Sequence, residues 1–257
     1  MSLSLERRLK LIIPNWFKIF FVKTFSSLLG YLATIFPLNR TITGKRFPFN
    51  SANLSFYDKG RIFIETWESA EIKFSRKVLK QGTYNVIELG SSIGINYAFN
   101  RNLAKSWLCV EPIPKNLATL RLVQSFLKRD DQIIEAAIDY SSLDSVQMPN
   151  TKHESARVLI NNQNERLNSI TVKSTTFSDI VTDLKFTDPF VLITDIEGGE
   201  APIFFKDGKS LENCFAIVAE LDNNEEYSIL AQVNQIEFLG FKLTDQYGSN
   251  VFIFRRN

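Results

Sequence analysis

The sequence predicts an α/β chain: a mostly parallel sheet covered by helices on both faces, closed by an antiparallel C-terminal hairpin, and preceded by an apolar, basic, helical N-terminal extension. Three observations predict it. Short apolar runs alternate with helix-compatible segments from residue 69 onward, the order a parallel sheet requires. The first run passes through a glycine turn into a helix, Val86 to Gly94 and beyond. The chain has 257 residues, 44% of them hydrophobic, enough for one sizeable core and short for two full domains.

Each element has its own signal. Ser69 to Lys80 suits a helix that Gly82 ends. Tyr84 to Ile87 is a first strand, Glu88-Leu89-Gly90-Ser91-Ser92-Ile93-Gly94 its turn, and Ile95 to Leu103 the helix that follows. Trp107 to Val110 is a second strand ending at Glu111-Pro112, and Pro114 to Lys128 is a helix with proline near its start. Gln132 to Ile138 makes a third strand. Phe190 to Thr194 makes a fourth, ending at Asp195-Ile196-Glu197-Gly198-Gly199-Glu200. Phe215 to Ala219 is a fifth, ending at Glu220-Leu221-Asp222, with a helix from Glu225 to Leu239 after it. Phe241 to Gln246 and Val251 to Arg255, joined through Tyr247-Gly248-Ser249-Asn250, form the closing hairpin.

Composition narrows the chemistry. Two cysteines, Cys109 and Cys214, exclude a disulfide scaffold and make a reducing, cytoplasmic compartment the expectation. One histidine, His153, leaves too few imidazoles and thiols for a zinc or iron site, so no resident metal is expected; a carboxylate site for magnesium or manganese is the minority reading. Only His153 could serve a Ser-His-Asp or Cys-His triad, and its polar loop suits a solvated residue better.

The net charge of +2 hides an asymmetry: residues 1–50 hold eight cations and one anion, leaving −5 for residues 51–257. That body is a poor nucleic-acid surface, because phosphate affinity comes from clustered cations. Composition therefore divides the chain into an extension, 1–50, and a domain, 51–257. Within residues 9–38 the longest uncharged stretch, Thr24 to Asn39, has sixteen residues, short of the about 20 a spanning helix needs. Pro14 would end or kink a helix begun upstream. Two readings fit this aromatic, basic segment: a helix lying in a membrane interface, peripheral at the inner face, or Trp16, Phe17, Phe20 and Phe21 packing on the rest of the protein or on a second subunit in a homodimer.

Parallel sheets bind ligands beyond the carboxyl ends of their strands, and Glu88, Glu111, Asp195 with Glu197, and Glu220 with Asp222 all fall there. Taken singly each is an ordinary loop carboxylate; four at consecutive strand ends are harder to dismiss. A nicotinamide site wants Gly-x-Gly-x-x-Gly to cradle a pyrophosphate. Here Gly90 and Gly94 stand four apart with Glu88 before them, an arrangement that repels phosphate. It suits a phosphate-free ligand with a cationic end and a ribose, which describes S-adenosyl-L-methionine. Gly90 would let the backbone approach that ligand, and Glu111 stands where an acid accepts ribose hydroxyls.

These residues carry a family resemblance over roughly 65–255. Val86-Ile87-Glu88-Leu89-Gly90-Ser91-Ser92-Ile93-Gly94 resembles the first motif of the FkbM family of S-adenosylmethionine-dependent methyltransferases. Val110-Glu111-Pro112 is similar to its Phe-Glu-Pro motif, and Ala136-Ala137-Ile138-Asp139 to its third-strand ending. Asp195-Ile196-Glu197-Gly198-Gly199-Glu200 resembles its most specific signature, and Thr176-Phe177-Ser178-Asp179 a further segment. The resemblance implies a Rossmann-like class I methyltransferase fold. It implies S-adenosyl-L-methionine bound by Glu88, Gly90, Ser91, Ser92, Gly94, Glu111, Pro112 and Ala137. It also implies O-methylation of a small molecule, or of a glycan or lipid-linked sugar such as a polysaccharide precursor. Three positions depart from the family: Ile193 replaces its Lys, Ser92 its Asn, and Asp222 its His.

Positioning can supply about 7–11 kcal/mol to such a displacement, and a general base about 10²–10⁴-fold. Losing the family's Lys and His therefore need not abolish catalysis. Asp195 is the first candidate base and Asp222 the second, with Glu197 shaping the acceptor site. Capping of the helix that opens at Gly198-Gly199 is the structural reading of Asp195 and Glu200. The alternative function is a catalytically silent, membrane-associated binding module; a nicotinamide oxidoreductase is third.

Overall fold

In the computed structural model, backbone contacts divide the chain into two compact units, Met1–Trp67 and Glu68–Asn257. The structure describes residues 15–36, 38–50, 52, 54–67, 69–80, 82–149, 169–183, 188–224 and 226–256, with side chains left out at 15–21 and 69. His153 thus lies outside the described residues, as do the side chains of Trp16, Phe17, Phe20 and Phe21.

The first unit is built on two helices, α1 (Asn15–Ile35) and α2 (Phe56–Phe63). Ser55 caps α2 by accepting the Asp58 N–H at 3.1 Å. The helices touch through glycine: a Cβ on Gly30 would lie 1.8 Å from the Phe56 carbonyl oxygen, and one on Gly60 1.8 Å from that of Ser26. Phe47 and Phe49 of the connecting segment are buried, with ring centroids 5.1 Å apart. Because α2 packs on α1, this unit runs past the residue-50 boundary read from composition.

The second unit begins with α3 (Ser69–Val78) and contains two sheets. The larger holds β1 (Asn85–Leu89), β2 (Ser106–Val110), β3 (Gln132–Ile134), β7 (Phe190–Thr194), β8 (Cys214–Glu220), β9 (Phe241–Tyr247) and β10 (Val251–Arg256). Their order is β3-β2-β1-β7-β8-β10-β9. The first five are parallel; β10 runs antiparallel to both β8 and β9. Strands buried on both faces need continuous apolar runs, and β1 and β7 are buried at every position. Helices α4 (Ile95–Asn100), α5 (Pro114–Leu127), α6 (Phe177–Asp183), α7 (Ala201–Lys206) and α8 (Ile229–Phe238) complete the described α/β pattern. The main core joins Ile87, Leu108, Leu192 and Ile217 of the central strands to Ile203 and Ile236 of α7 and α8.

The expected third strand, Gln132 to Ile138, is two strands. Residues 132–134 pair with β2, whereas β4 (Ala137–Ile138) leaves that sheet and pairs with β6 (Ser169–Thr175). With β5 (Ser145–Pro149) these make a second sheet of order β4-β6-β5. The helix expected from Glu225 starts at Ile229, capped by Ser228, because Asn223 and Asn224 hold the preceding loop. Asn224 Oδ1 accepts the Glu226 and Tyr227 N–H groups, and Asn223 Oδ1 that of Ile229.

Candidate active site

The parallel strands of the larger sheet end at one edge, and chain order reverses between β1 and β7, the crevice where such sheets bind ligands. Glu88, Glu111, Asp195 and Glu220 stand at or just past the ends of β1, β2, β7 and β8, as expected from the sequence.

The turn after β1 is closed by its own backbone. The Gly90 and Ser91 N–H groups both donate to the Val110 carbonyl, at 3.0 and 3.1 Å, and the Gly94 N–H donates to Ser91. The Ser92 N–H, at a φ of +47°, donates to Glu111 Oε2 at 2.9 Å. Four of the five amides from Gly90 to Gly94 are therefore spoken for, one of them by an anion. A phosphate would find few free donors and no positive field there. Gly90 (φ +79°) is needed for a reason the sequence did not show: a Cβ would lie 1.9 Å from the Asp195 carbonyl oxygen. The backbone of the β7 turn, rather than a ligand, occupies that space.

Glu111 is 3% exposed and held from three directions. Its Oε1 accepts the Ile113 N–H at 2.8 Å and Asn116 Nδ2 at 3.2 Å, while Oε2 accepts Ser92. Burial pushes its carboxyl up to about 7, against the pull of these donors. A carboxylate offers about four acceptor positions, so Oε2 retains room for one further hydroxyl. Accepting both hydroxyls of a ribose requires Ser92 or Asn116 to yield.

Glu88 is not a free anion at the lip of the turn, as the sequence suggested, but a buried one, 4% exposed. Asn96 Nδ2 donates to Oε1 at 2.8 Å and Trp107 Nε1 to Oε2 at 2.9 Å. The direction of this network is set by Arg76, which can only donate. Its Nε donates to Asn100 Oδ1 at 2.9 Å, so Asn100 Nδ2 faces Asn96 Oδ1 at 2.7 Å and Asn96 turns its amide toward Glu88. Burial still pushes the Glu88 carboxyl up to about 7. Ser91 is buried and donates its hydroxyl to the Glu88 carbonyl at 3.0 Å. Pro112 is half-buried beside Ile113. Ala137, a cofactor candidate, lies on β4 rather than in the third strand of the larger sheet and packs with Ile113, Val146, Met148 and Val172.

At the next two strand ends, Glu197 (φ +56°) and Gly198 (φ +90°) bend the chain sharply. Glu200 closes this turn from within: its Oε1 accepts the Ile196 N–H at 2.6 Å, with no side-chain cap on α7. Among the described residues Glu200 Oε2 has no hydrogen-bond partner, and burial, with Asp222 adding repulsion, pushes the carboxyl up to about 7. Asp195 and Asp222 are half-buried on neighbouring turns, and Gln232 Nε2 donates to the Asp222 carbonyl at 2.6 Å. Glu71 of α3 is an acid that sequence reading missed. It hydrogen-bonds Glu220, and burial with that neighbouring charge pushes it up to about 7; Glu220 also accepts Asn250 Nδ2 at 2.6 Å. Glu71 stands alone in a helix of mixed polarity, and only its meeting with β8 marks it. Among the described residues no three acidic, imidazole or thiol groups converge as a metal site.

The strand order, the antiparallel final strands and an acidic, phosphate-averse turn at the reversal point define a Rossmann-like methyltransferase fold. A family model for the methyltransferase FkbM domain matches residues 88–243, from Glu88 at the first turn into β9, and the chain belongs to this family of S-adenosyl-L-methionine-dependent methyltransferases. No curated protein matches the chain at a significant level. Among solved structures it is similar to an rRNA methylase from Streptococcus thermophilus, at 12% identity over 72% of this chain and 94% of that one, TM-score 0.44. It is also similar to a ribosomal protein L11 methylase from Lactobacillus delbrueckii subsp. bulgaricus, at 10% identity over 74% and 78%, TM-score 0.43. A TehB-like SAM-dependent methyltransferase from Corynebacterium glutamicum follows, at 10% identity over 73% and 88%, TM-score 0.40. At these identities and scores they bear on neither the acceptor nor the site residues.

Proposed function

We propose that this methyltransferase O-methylates a hydroxyl of a sugar, glycolipid or polysaccharide precursor. The observation that carries the donor half is the Ser92 N–H committed to Glu111 Oε2, which leaves an acidic mouth suited to a cationic, phosphate-free ligand. The acceptor half rests on the carboxylates at the β7 and β8 ends, acceptor-only groups that match hydroxyl donors.

When bound, S-adenosyl-L-methionine supplies an electrophilic methyl carbon. Glu111 Oε2 accepts a ribose hydroxyl, with Ser92 and Asn116 adjusting for the second. Glu88 and Ser91 hold the turn's shape from below rather than touching the ligand. Asp195 takes the acceptor's hydroxyl proton on a carboxylate oxygen, Asp222 is the second candidate, and Glu197 orients the acceptor. Alignment outweighs the base, at about 7–11 kcal/mol against about 3–5 kcal/mol, so Ile193 in place of a Lys does not by itself end catalysis.

Calorimetry with S-adenosyl-L-methionine, followed by radiolabelled methyl transfer to cell-envelope extracts, tests the reading. Label in a saccharide fraction, stable to alkali as an ether, supports it. Binding without transfer identifies the silent module that Ile193 and Asp222 would favour. Label confined to protein or nucleic acid overturns the acceptor class.

A further inference from the structure

Helix α1 is packed with its small residues inward. Ser26, Gly30 and Ala33 are buried on one face, where α2 approaches closely enough to forbid a Cβ at Gly30. Leu28, Leu32 and Ile35 lie on the opposite side and are exposed, Leu28 by 53% and Ile35 by 55%. A water-facing helix orients these classes the other way. Small residues at the helix crossing with large apolar residues outward is the arrangement used where the surroundings are themselves apolar. The bias is local: of fourteen exposed large hydrophobics among the described residues, ten lie in the first unit.

Charge selects the occupant. Residues 7–57 contain eight lysines and arginines and no Asp or Glu, and Lys23, Arg40 and Arg46 are exposed. A second copy would bring an equally cationic unit against this one, which like-charge repulsion opposes. A surface of anionic phospholipid offers both an apolar layer for the side chains and negative charge for the cations. No described helix is long and apolar enough to cross a membrane. We propose that the outer face of α1 docks in the plane of an anionic bilayer, its large apolar side chains entering the headgroup–acyl boundary. This docking is independent of the methyl acceptor.

Flotation of the full chain with vesicles tests it, comparing phosphatidylcholine alone with phosphatidylcholine containing phosphatidylglycerol. The paired variant Leu28→Glu and Leu32→Glu changes exposed positions only, and an unchanged helical circular-dichroism signal and thermal unfolding profile verify its fold. The expected result is flotation with anionic vesicles that weakens as salt rises, and partitioning lowered by about tenfold or more in the variant. Equal flotation with neutral vesicles overturns the anionic assignment, and flotation undiminished in the variant overturns the assignment of the face. No flotation overturns the docking itself; if sedimentation then shows a dimer that the variant dissociates, a second copy is the occupant.

Discussion

At the scale of single residues, two glycines with left-handed backbone separate conformational from steric necessity. Gly90 and Gly198 have φ of +79° and +90°, yet a Cβ on Gly198 meets nothing within 4 Å, whereas one on Gly90 meets the Asp195 carbonyl at 1.9 Å. Gly198→Ala should cost about 1 kcal/mol in urea unfolding, the ordinary penalty of a left-handed alanine. Gly90→Ala should cost on the order of 3 kcal/mol or more, since β1 and β7 must part, and should abolish calorimetric binding of S-adenosyl-L-methionine. Equal costs for the two would show that the backbone approach has no energetic weight. Asp195→Ala should leave binding intact and slow turnover by about 10²–10⁴-fold; unchanged turnover would pass the role of base to Asp222. The acids at 88 and 111 were legible as acids at strand ends. That Glu88 would be enclosed by Asn96 and Trp107, and Glu111 by Ser92 and Asn116, was not, because the donors lie up to nineteen residues away.

At the scale of elements, the central strands and their turns were readable because each is an apolar run ended by an acid or a glycine. The run 132–138 misled because Ile133, Ile134, Ala136, Ala137 and Ile138 are apolar on both sides of Glu135, and periodicity carries no record of which partner each half will meet. Strands β5 and β6 were missed outright: their sequences, Ser-Val-Gln-Met-Pro and Ser-Ile-Thr-Val-Lys-Ser-Thr, are polar on alternate positions and gain strand form from one another. The Thr176-Phe177-Ser178-Asp179 segment proves to be a reciprocal cap for α6. Thr176 Oγ1 accepts the Asp179 N–H at 3.2 Å, and Asp179 Oδ2 accepts the Thr176 N–H at 3.3 Å. At α8, Ser228 Oγ accepts the Ala231 N–H at 3.2 Å. Ser228→Ala should therefore lower stability by about 1 kcal/mol with little change in cofactor affinity, as read by chemical denaturation and calorimetry. A loss of affinity instead would mean that the 223–228 loop, rather than the helix, depends on that hydroxyl.

At the scale of the molecule, the folded chain keeps four carboxyls, Glu71, Glu88, Glu111 and Glu200, far above the ordinary value of 4.5, each at about 7. Between those two values the folded state retains protons that the unfolded chain has released. Their contribution is complete below about 4.5, declines as pH rises, and is spent above about 7. Urea unfolding free energy should accordingly fall across pH 4.5–7, by on the order of 1–3 kcal/mol for each carboxyl, and then level. A flat profile across that window would show that the donors around Glu88 and Glu111 overcome burial and keep both ionised. Net charge is divided between the two compact units in the same uneven way the sequence shows: residues 1–67 hold ten lysines and arginines against three acids, and the acidic edge lies in the second unit.

The sequence by itself determined the alternation of strand and helix, the acids and glycines at the strand ends, and the predominantly basic front, because each is a local pattern of residue types. Only the tertiary structure decided that Gly90 yields its space to Asp195, that Glu71 meets Glu220, that residues 137–138 join a second sheet, and that α1 turns its small residues inward. Those outcomes depend on which backbone lies beside which. Packing across strands and helices sets that choice, and no run of neighbouring residues contains it.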